Sequence, residues 1–190
     1  MDWKDYLPLA EKTLSRQFHC EEKEQLYLHA VIGTLTEIEE LLENYQEGEL
    51  KTEVNQQGSV AEESADIFWY LAILFRELNL DIADNSSIIS SDLNTPFKIL
   101  MEFLKENLRM LDDLKKKLYY NKEINIINFI DSTFKLYTLL ENYCNFYETD
   151  INLILDKNIA KLKARYGDKF SSDKAINRDL ETEKKILENG

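Results

Sequence analysis

Apolar residues return along this chain with a helical rhythm almost from end to end. Residues 2–19 carry an amphipathic pattern (Trp3, Leu7, Leu14, Phe18), in which Pro8 limits where a regular helix can begin. From about Glu22 to Tyr45 the stripe Leu28, Val31, Leu35, Ile38, Leu42 and Tyr45 follows a 3.6-residue repeat and predicts a second helix. The stretch 46–58 is polar, holds two glycines and reads as a loop. Ser59-Val60-Ala61-Glu62 has the form of a capping box, which places the start of a third helix there and its end near Asn79. Past Asp66 this helix is apolar nearly all round, the mark of a buried element.

A Ser/Asp/Asn-rich connector follows over 81–94, and Thr95-Pro96 supplies an N-cap with proline at the first helical position. The fourth helix is expected from Phe97 to about Leu118, with Lys115-Lys116-Lys117 complementing its C-terminus. A fifth, from about Glu123 to Tyr147, carries Ile126, Phe129, Ile130, Phe134, Tyr137 and Leu140. Asp150 caps a sixth that runs to Tyr166, where Gly167 suits a left-handed C-cap. Leu155, Ile159, Leu162 and Tyr166 form the apolar face of that helix. Ser172 can cap a last, charged helix reaching about Glu188. With no repeat and no strand-like alternation, the expectation is an all-α helical bundle in a single domain, 1–190.

Composition sharpens this picture at three points. Only 5 Gly and 2 Pro among 190 residues leave few breaks, which favours long helices. A net charge of -13 with no basic face opposes a nucleic-acid partner, although a bound divalent cation could still bring in a small phosphorylated ligand. The longest apolar run, Ile67 to Phe75, is far short of the ~18–20 residues that span a bilayer, so no membrane partner is expected. No signal-peptide pattern precedes the amphipathic stretch, and Cys20 and Cys144 lie outside any metal-like spacing, so a reducing, cytoplasmic setting is expected.

The candidate chemistry lies in carboxylates. Residues three apart share a helix face, so Glu37 pairs with Glu40 and Glu63 with Asp66. If the second and third helices pack together, four acids share one space, and unpaired charges at 4 Å repel by roughly 4 kcal/mol per pair at an effective dielectric near 20. All-oxygen donors of this kind suit Mg²⁺, with Mn²⁺ as the alternative. Solvated surface acids are the competing explanation, because a wheel places Glu37 and Glu40 away from the Leu28–Leu35–Leu42 stripe. Asp66 argues the other way: with Tyr70 and Ile73 on its own face of a mostly apolar helix, its charge must be paired or metal-bound. Gly33, one turn before Glu37, costs ~1 kcal/mol within a helix and makes sense where another helix or a ligand comes close.

Other site chemistries are poorly represented. Neither His19 nor His29 follows a glutamate by three, which removes a Glu-x-x-His di-iron bundle. Ligand sets for zinc, nucleophile–histidine arrangements and a Gly-rich phosphate loop are all missing. Cations for a phosphate would come from the sixth helix, where Asn158, Lys161 and Arg165 fall at i, i+3 and i+7 on one face; an ordinary solvated face has the same spacing.

Two of these segments, His29-Ala30-Val31-Ile32-Gly33-Thr34-Leu35-Thr36-Glu37-Ile38-Glu39-Glu40 and Glu63-Ser64-Ala65-Asp66-Ile67-Phe68-Trp69-Tyr70-Leu71, resemble the paired acid motifs of the MazG-type all-α NTP pyrophosphohydrolases. The tail from Asn158-Ile159-Ala160-Lys161-Leu162 through Arg165-Tyr166-Gly167, continued by Arg178-Asp179, is similar to the family's closing helix and loop. The resemblance covers about 26–80 and 150–185. It implies an all-α core over about 20–80 and 150–188, with a helical pair inserted at about 84–150. It also implies Mg²⁺ held by Glu37, Glu40, Glu63 and Asp66, and hydrolysis of a (d)NTP to (d)NMP and pyrophosphate. Lys161 and Arg165 would face phosphate, Asn158 would make polar contacts near the nucleotide, and the assembly would be a homodimer or homotetramer. Thr36 stands where some relatives carry a further Glu, and Ala65 where Gly is common, which leaves the number of metals and the general base open. A dUTPase- or dCTPase-like hydrolase and a non-catalytic helical binding module are the alternatives.

Overall fold

The computed structural model describes residues 7–9, 11, 12, 15, 17–43, 53–88, 90–167, 170–177, 179 and 183, with only the backbone over 53–59. Five long helices account for most of these residues: α1 (Glu22–Glu43), α2 (Glu53–Leu78), α3 (Pro96–Tyr120), α4 (Ile126–Phe146) and α5 (Ile151–Tyr166). A 3-10 turn at Ile82–Asp84 lies in the connector, and a short α6 (Ser172–Ile176) follows α5. No strand occurs among the described residues, and no helix is long and apolar enough to cross a membrane.

Local signals set several of the boundaries. The Thr95 hydroxyl accepts from Lys98 N at 3.3 Å, with Pro96 in the first turn, and Asp150 accepts from Asn152 N and Leu153 N at 2.9 and 3.3 Å. Gly167 ends α5 at φ 69°, ψ −131°, a mirror-extended conformation for which glycine is suited, rather than the αL cap expected. Helix α3 runs two residues past the predicted end and closes on Asn121 in αL. Its basic run is paired with acids of the chain, Lys115 and Lys116 with Asp112 and Lys117 with Glu123.

Two helices depart further from the sequence expectation. Helix α2 begins at Glu53, so the Ser59–Glu62 capping box lies inside the helix. Each residue added to an existing helix gains a hydrogen bond, and Gly58 opposes that extension by only ~1 kcal/mol. The last predicted helix is described only as Ser172–Ile176, capped by Ser171 rather than Ser172; 184–190 lie outside the described residues. Trp3, Leu14 and Tyr45 also lie outside them, while Phe18 of the leading segment rests on Tyr119 with ring centroids 5.0 Å apart.

The four helices α1–α4 form a ring in which α1 packs on α2, α2 on α4, α4 on α3 and α3 on α1, and α5 leans against α2 from outside. One continuous core fills the ring, with Val31, Ile38, Leu71, Leu74, Phe103, Met110, Phe129 and Leu136 among its members. The block expected as an insertion therefore supplies half of the bundle. Buried polar contacts fix its register: Asn107 Nδ2 donates to the Val31 carbonyl at 3.0 Å, tying α3 to α1. Between α3 and α4, Glu106 accepts from Ser132 at 2.6 Å and Lys135 at 2.9 Å.

A shared core predicts shared unfolding. Leu136 of α4 has no exposed surface, so Leu136→Ala should cost about 2–5 kcal/mol. In urea, helical circular dichroism and tryptophan fluorescence, to which Trp69 on α2 contributes, should shift together to a lower midpoint. A fluorescence transition left in place while part of the helical signal moves would show the α3–α4 pair folding separately.

Candidate metal centre

The carboxylate site is built where α1 and α2 come closest. On α1 the buried positions are Tyr27, Ala30, Val31, Gly33, Thr34, Ile38 and Leu41, so the inner face is rotated from the expected stripe, and Leu28, Leu35 and Leu42 are only partly buried. Small residues make that rotation favourable. A Cβ added to Gly33 would fall 2.1 Å from the Tyr70 ring, so the ring of α2 occupies the space a side chain would need. The close approach expected at Gly33 is thus a helix contact. It also turns Glu37, one helical turn on, toward α2.

Glu37, Glu63 and Asp66 each offer an oxygen, all within 4.8 Å of one another, and all three side chains are half-buried. Such a group could hold a metal ion. Three carboxylates with no sulfur or imidazole make a hard, all-oxygen donor set, the kind divalent Mg²⁺ or Mn²⁺ takes. The fourth expected acid, Glu40, is exposed and outside this group, although its charge is felt by both Glu37 and Glu63. Burial, then the charges of Asp66 and Glu40, pushes the Glu37 carboxyl up to about 7, against a smaller opposing effect of the Thr36 hydroxyl. For Glu63, burial followed by the charges of Glu40, Glu62, Glu37 and Asp66 raises it to about 8.

Helix α5 supplies the opposite charge. Lys161 Nζ lies 2.9 and 2.7 Å from the two oxygens of Asp66 and 3.5 Å from Glu62 Oε1, and Asn158 Nδ2 donates to Asp66 Oδ1. Lys161 is 1% exposed and Asn158 3%, whereas Leu155 and Ile159 are 38% and 48% exposed. Leu155 and Ile159 of the face expected to be apolar therefore look outward, Leu162 and Tyr166 are partly buried, and Asn158 and Lys161 of the polar face enter the protein. Turning Leu155 and Ile159 outward forfeits part of about 1.5–3 kcal/mol each. Leaving Asp66 unpaired beside two more carboxylates would cost several kcal/mol, so the ion pair sets the helix orientation. Arg165, expected near phosphate, instead makes two bonds to Glu183 at 2.8 and 2.6 Å.

Tyr70 lies near enough to the carboxylates to feel the charges of Glu37 and Asp66, and it belongs to a small aromatic group. His29 of α1 meets Trp69 and Tyr70 edge-on, at centroid distances of 6.0 and 5.6 Å, and Trp69 and Tyr70 are 5.0 Å apart. Burial raises the Tyr70 hydroxyl pKa, and the charges of Glu37 and Asp66, then Tyr166, add to the rise. The clue in the sequence was the run of i, i+3 and i+4 spacings linking Asp66, Trp69 and Tyr70 on one helix with Ala30, Gly33 and Glu37 on the other.

Raised carboxyl pKa values fix the sign of a pH effect. Between about pH 4.5 and 8 the folded chain binds more protons at Glu37 and Glu63 than the unfolded chain, so stability falls as pH rises. In chelator, Tm should drop from pH 5.5 to 8.5, Mg²⁺ should reverse much of the drop, and Glu63→Gln should flatten it. A Tm that is level or rising in chelator over that range would contradict the clustering.

No family model matches the chain, and no curated protein or solved structure matches it.

Proposed function

We propose that this chain is a Mg²⁺-dependent nucleoside triphosphate pyrophosphohydrolase that converts a (d)NTP and water to (d)NMP and pyrophosphate. The observation that carries the reading is the meeting of Glu37, Glu63 and Asp66 from two helices, with Lys161 and Asn158 of a third on Asp66. The order of these motifs along the chain, and their resemblance to the MazG-type enzymes, supports the same reading. Manganese fits the same donors.

Glu37, Glu63 and Asp66 would hold the ion, with Glu40 adding negative charge from the rim. A divalent cation at that place would neutralise phosphate oxygens and make the phosphoanhydride more electrophilic. The residues around it have separate tasks. Asn158 fixes the rotamer of Asp66, whose charge Lys161 balances. The exposed rings of His29 and Trp69 would offer flat apolar surface for a nucleobase, and base–aromatic stacking is worth about 1–3 kcal/mol. Arg165 reaches a polyphosphate only by exchanging Glu183 for it, so its contribution depends on the segment that carries Glu183. The buried apolar side of α2 behind Asp66 (Ile67, Leu71 and Leu74) keeps water from the rear of the site and strengthens electrostatic contacts there. The assembly expected is a homodimer or homotetramer.

Asp66→Asn and Glu63→Gln should each lower kcat/KM by about 100-fold or more, corresponding to at least about 2.7 kcal/mol of lost transition-state stabilisation, with helical circular dichroism retained. Glu77→Gln, beyond the site on the same helix, should turn over a panel of NTPs and dNTPs at the parent rate. Parent-like kinetics in both site variants would remove the assignment of these carboxylates.

A further inference from the structure

Lys161 is an unusual neighbour for a cation site. Its ammonium is enclosed by the protein and already shares both oxygens of Asp66, the acid that Asn158 also contacts. Glu62 reaches the same ammonium from the preceding turn of α2, and Glu37 and Glu63 stand within 4.8 Å of Asp66. One lysine thus stands against a cluster of four carboxyl groups. A divalent ion using an Asp66 oxygen would meet an oxygen that an ammonium has claimed, and like charges at such short range repel strongly where water is scarce. The side chain is long and flexible, with a compact charge that can be handed to another acceptor.

We propose that Lys161 is a built-in competitor for the metal: a divalent cation displaces its ammonium from Asp66, and the released ammonium then serves the incoming polyphosphate. This rests on the metal reading given above and adds an order to it, with metal bound before phosphate. It reverses the sign expected of a residue that merely positions Asp66. Losing a positioning group weakens metal binding, whereas losing a competitor tightens it.

The test uses Mn²⁺ and Mg²⁺ as probes on the full chain. Mn²⁺ affinity, read by electron paramagnetic resonance, should rise about tenfold or more in Lys161→Met and be lost in Asp66→Asn. Because Lys161→Met could fail to fold, a second measurement uses the parent chain. Acetylation of Lys161 by acetic anhydride, followed by peptide mass spectrometry, should be slow in chelator and several-fold faster in saturating Mg²⁺. Lys105, whose side chain is 62% exposed, should react equally in both and serves as the reference. No Mn²⁺ binding to the parent chain would remove the metal reading and this inference together. Binding that depends on Asp66 while Lys161 labelling does not change would overturn the displacement alone, as would equal or weaker Mn²⁺ affinity in a folded Lys161→Met.

Discussion

A carboxylate on the inner side of a mostly apolar helix must be neutralised, and the pairing of Asp66 with Lys161 does this for α2. The Asp66 side chain keeps 28% of its surface, so the pair is less costly to desolvate than a fully buried one, while the lysine is almost wholly enclosed. Removing one partner of a buried pair costs about 3–5 kcal/mol, and this half-open case belongs near the lower end. Much else depends on that contact. It turns the polar side of α5 inward, leaves Leu155 and Ile159 facing out, and holds Asn158 on the same carboxylate. With Ile154 the main apolar contribution of α5 to the core, polar contacts rather than oil-like packing set its angle against α2.

The α1–α2 contact is governed by size in the same way that α5 is governed by charge. Gly33 admits the Tyr70 ring, and that close approach brings Glu37 within reach of Glu63 and Asp66. Mutual repulsion of the three acids works against the contact. Core residues on both sides of it, among them Ile38, Leu41, Ile67 and Leu71, hold it closed. Helix α4 supports this arrangement from behind, through Phe68 against Tyr137 and Phe75 against Phe134 and Tyr137, while α3 packs on α1. The polar interactions traced around the carboxylates come from α1, α2 and α5, so α3 and α4 shape the site by bracing α1 and α2 respectively.

Helix content and several helix ends were legible in the sequence because they depend on short-range chemistry: Thr95-Pro96, Asp150 and the glycine at 167 each act within one turn. The carboxylate pairs were legible for the same reason, since i, i+3 spacing is a property of one helix. What the sequence concealed depends on partners. The inner face of α1 is centred on small residues that no hydrophobic stripe marks, and Glu37 was therefore placed toward solvent by the wheel. The inward face of α5 was misread because Leu155 and Ile159 look like core until Asp66 is seen to need a cation. The early start of α2 shows that a capping sequence of local form does not stop a helix that can propagate past it. The proposal of Mg²⁺ and a triphosphate substrate rests on donor chemistry and motif resemblance.

The reaction proposed for this carboxylate centre splits a nucleoside triphosphate between its α and β phosphorus atoms. Phosphorus-31 magnetic resonance of a mixed NTP and dNTP pool, incubated with the chain and Mg²⁺, tests it by naming the bond that breaks. Nucleoside monophosphate and pyrophosphate growing in equal amounts, and stopping when chelator is added, is the predicted result. Nucleoside diphosphate with orthophosphate, or a spectrum that stays unchanged in Mg²⁺, would contradict it.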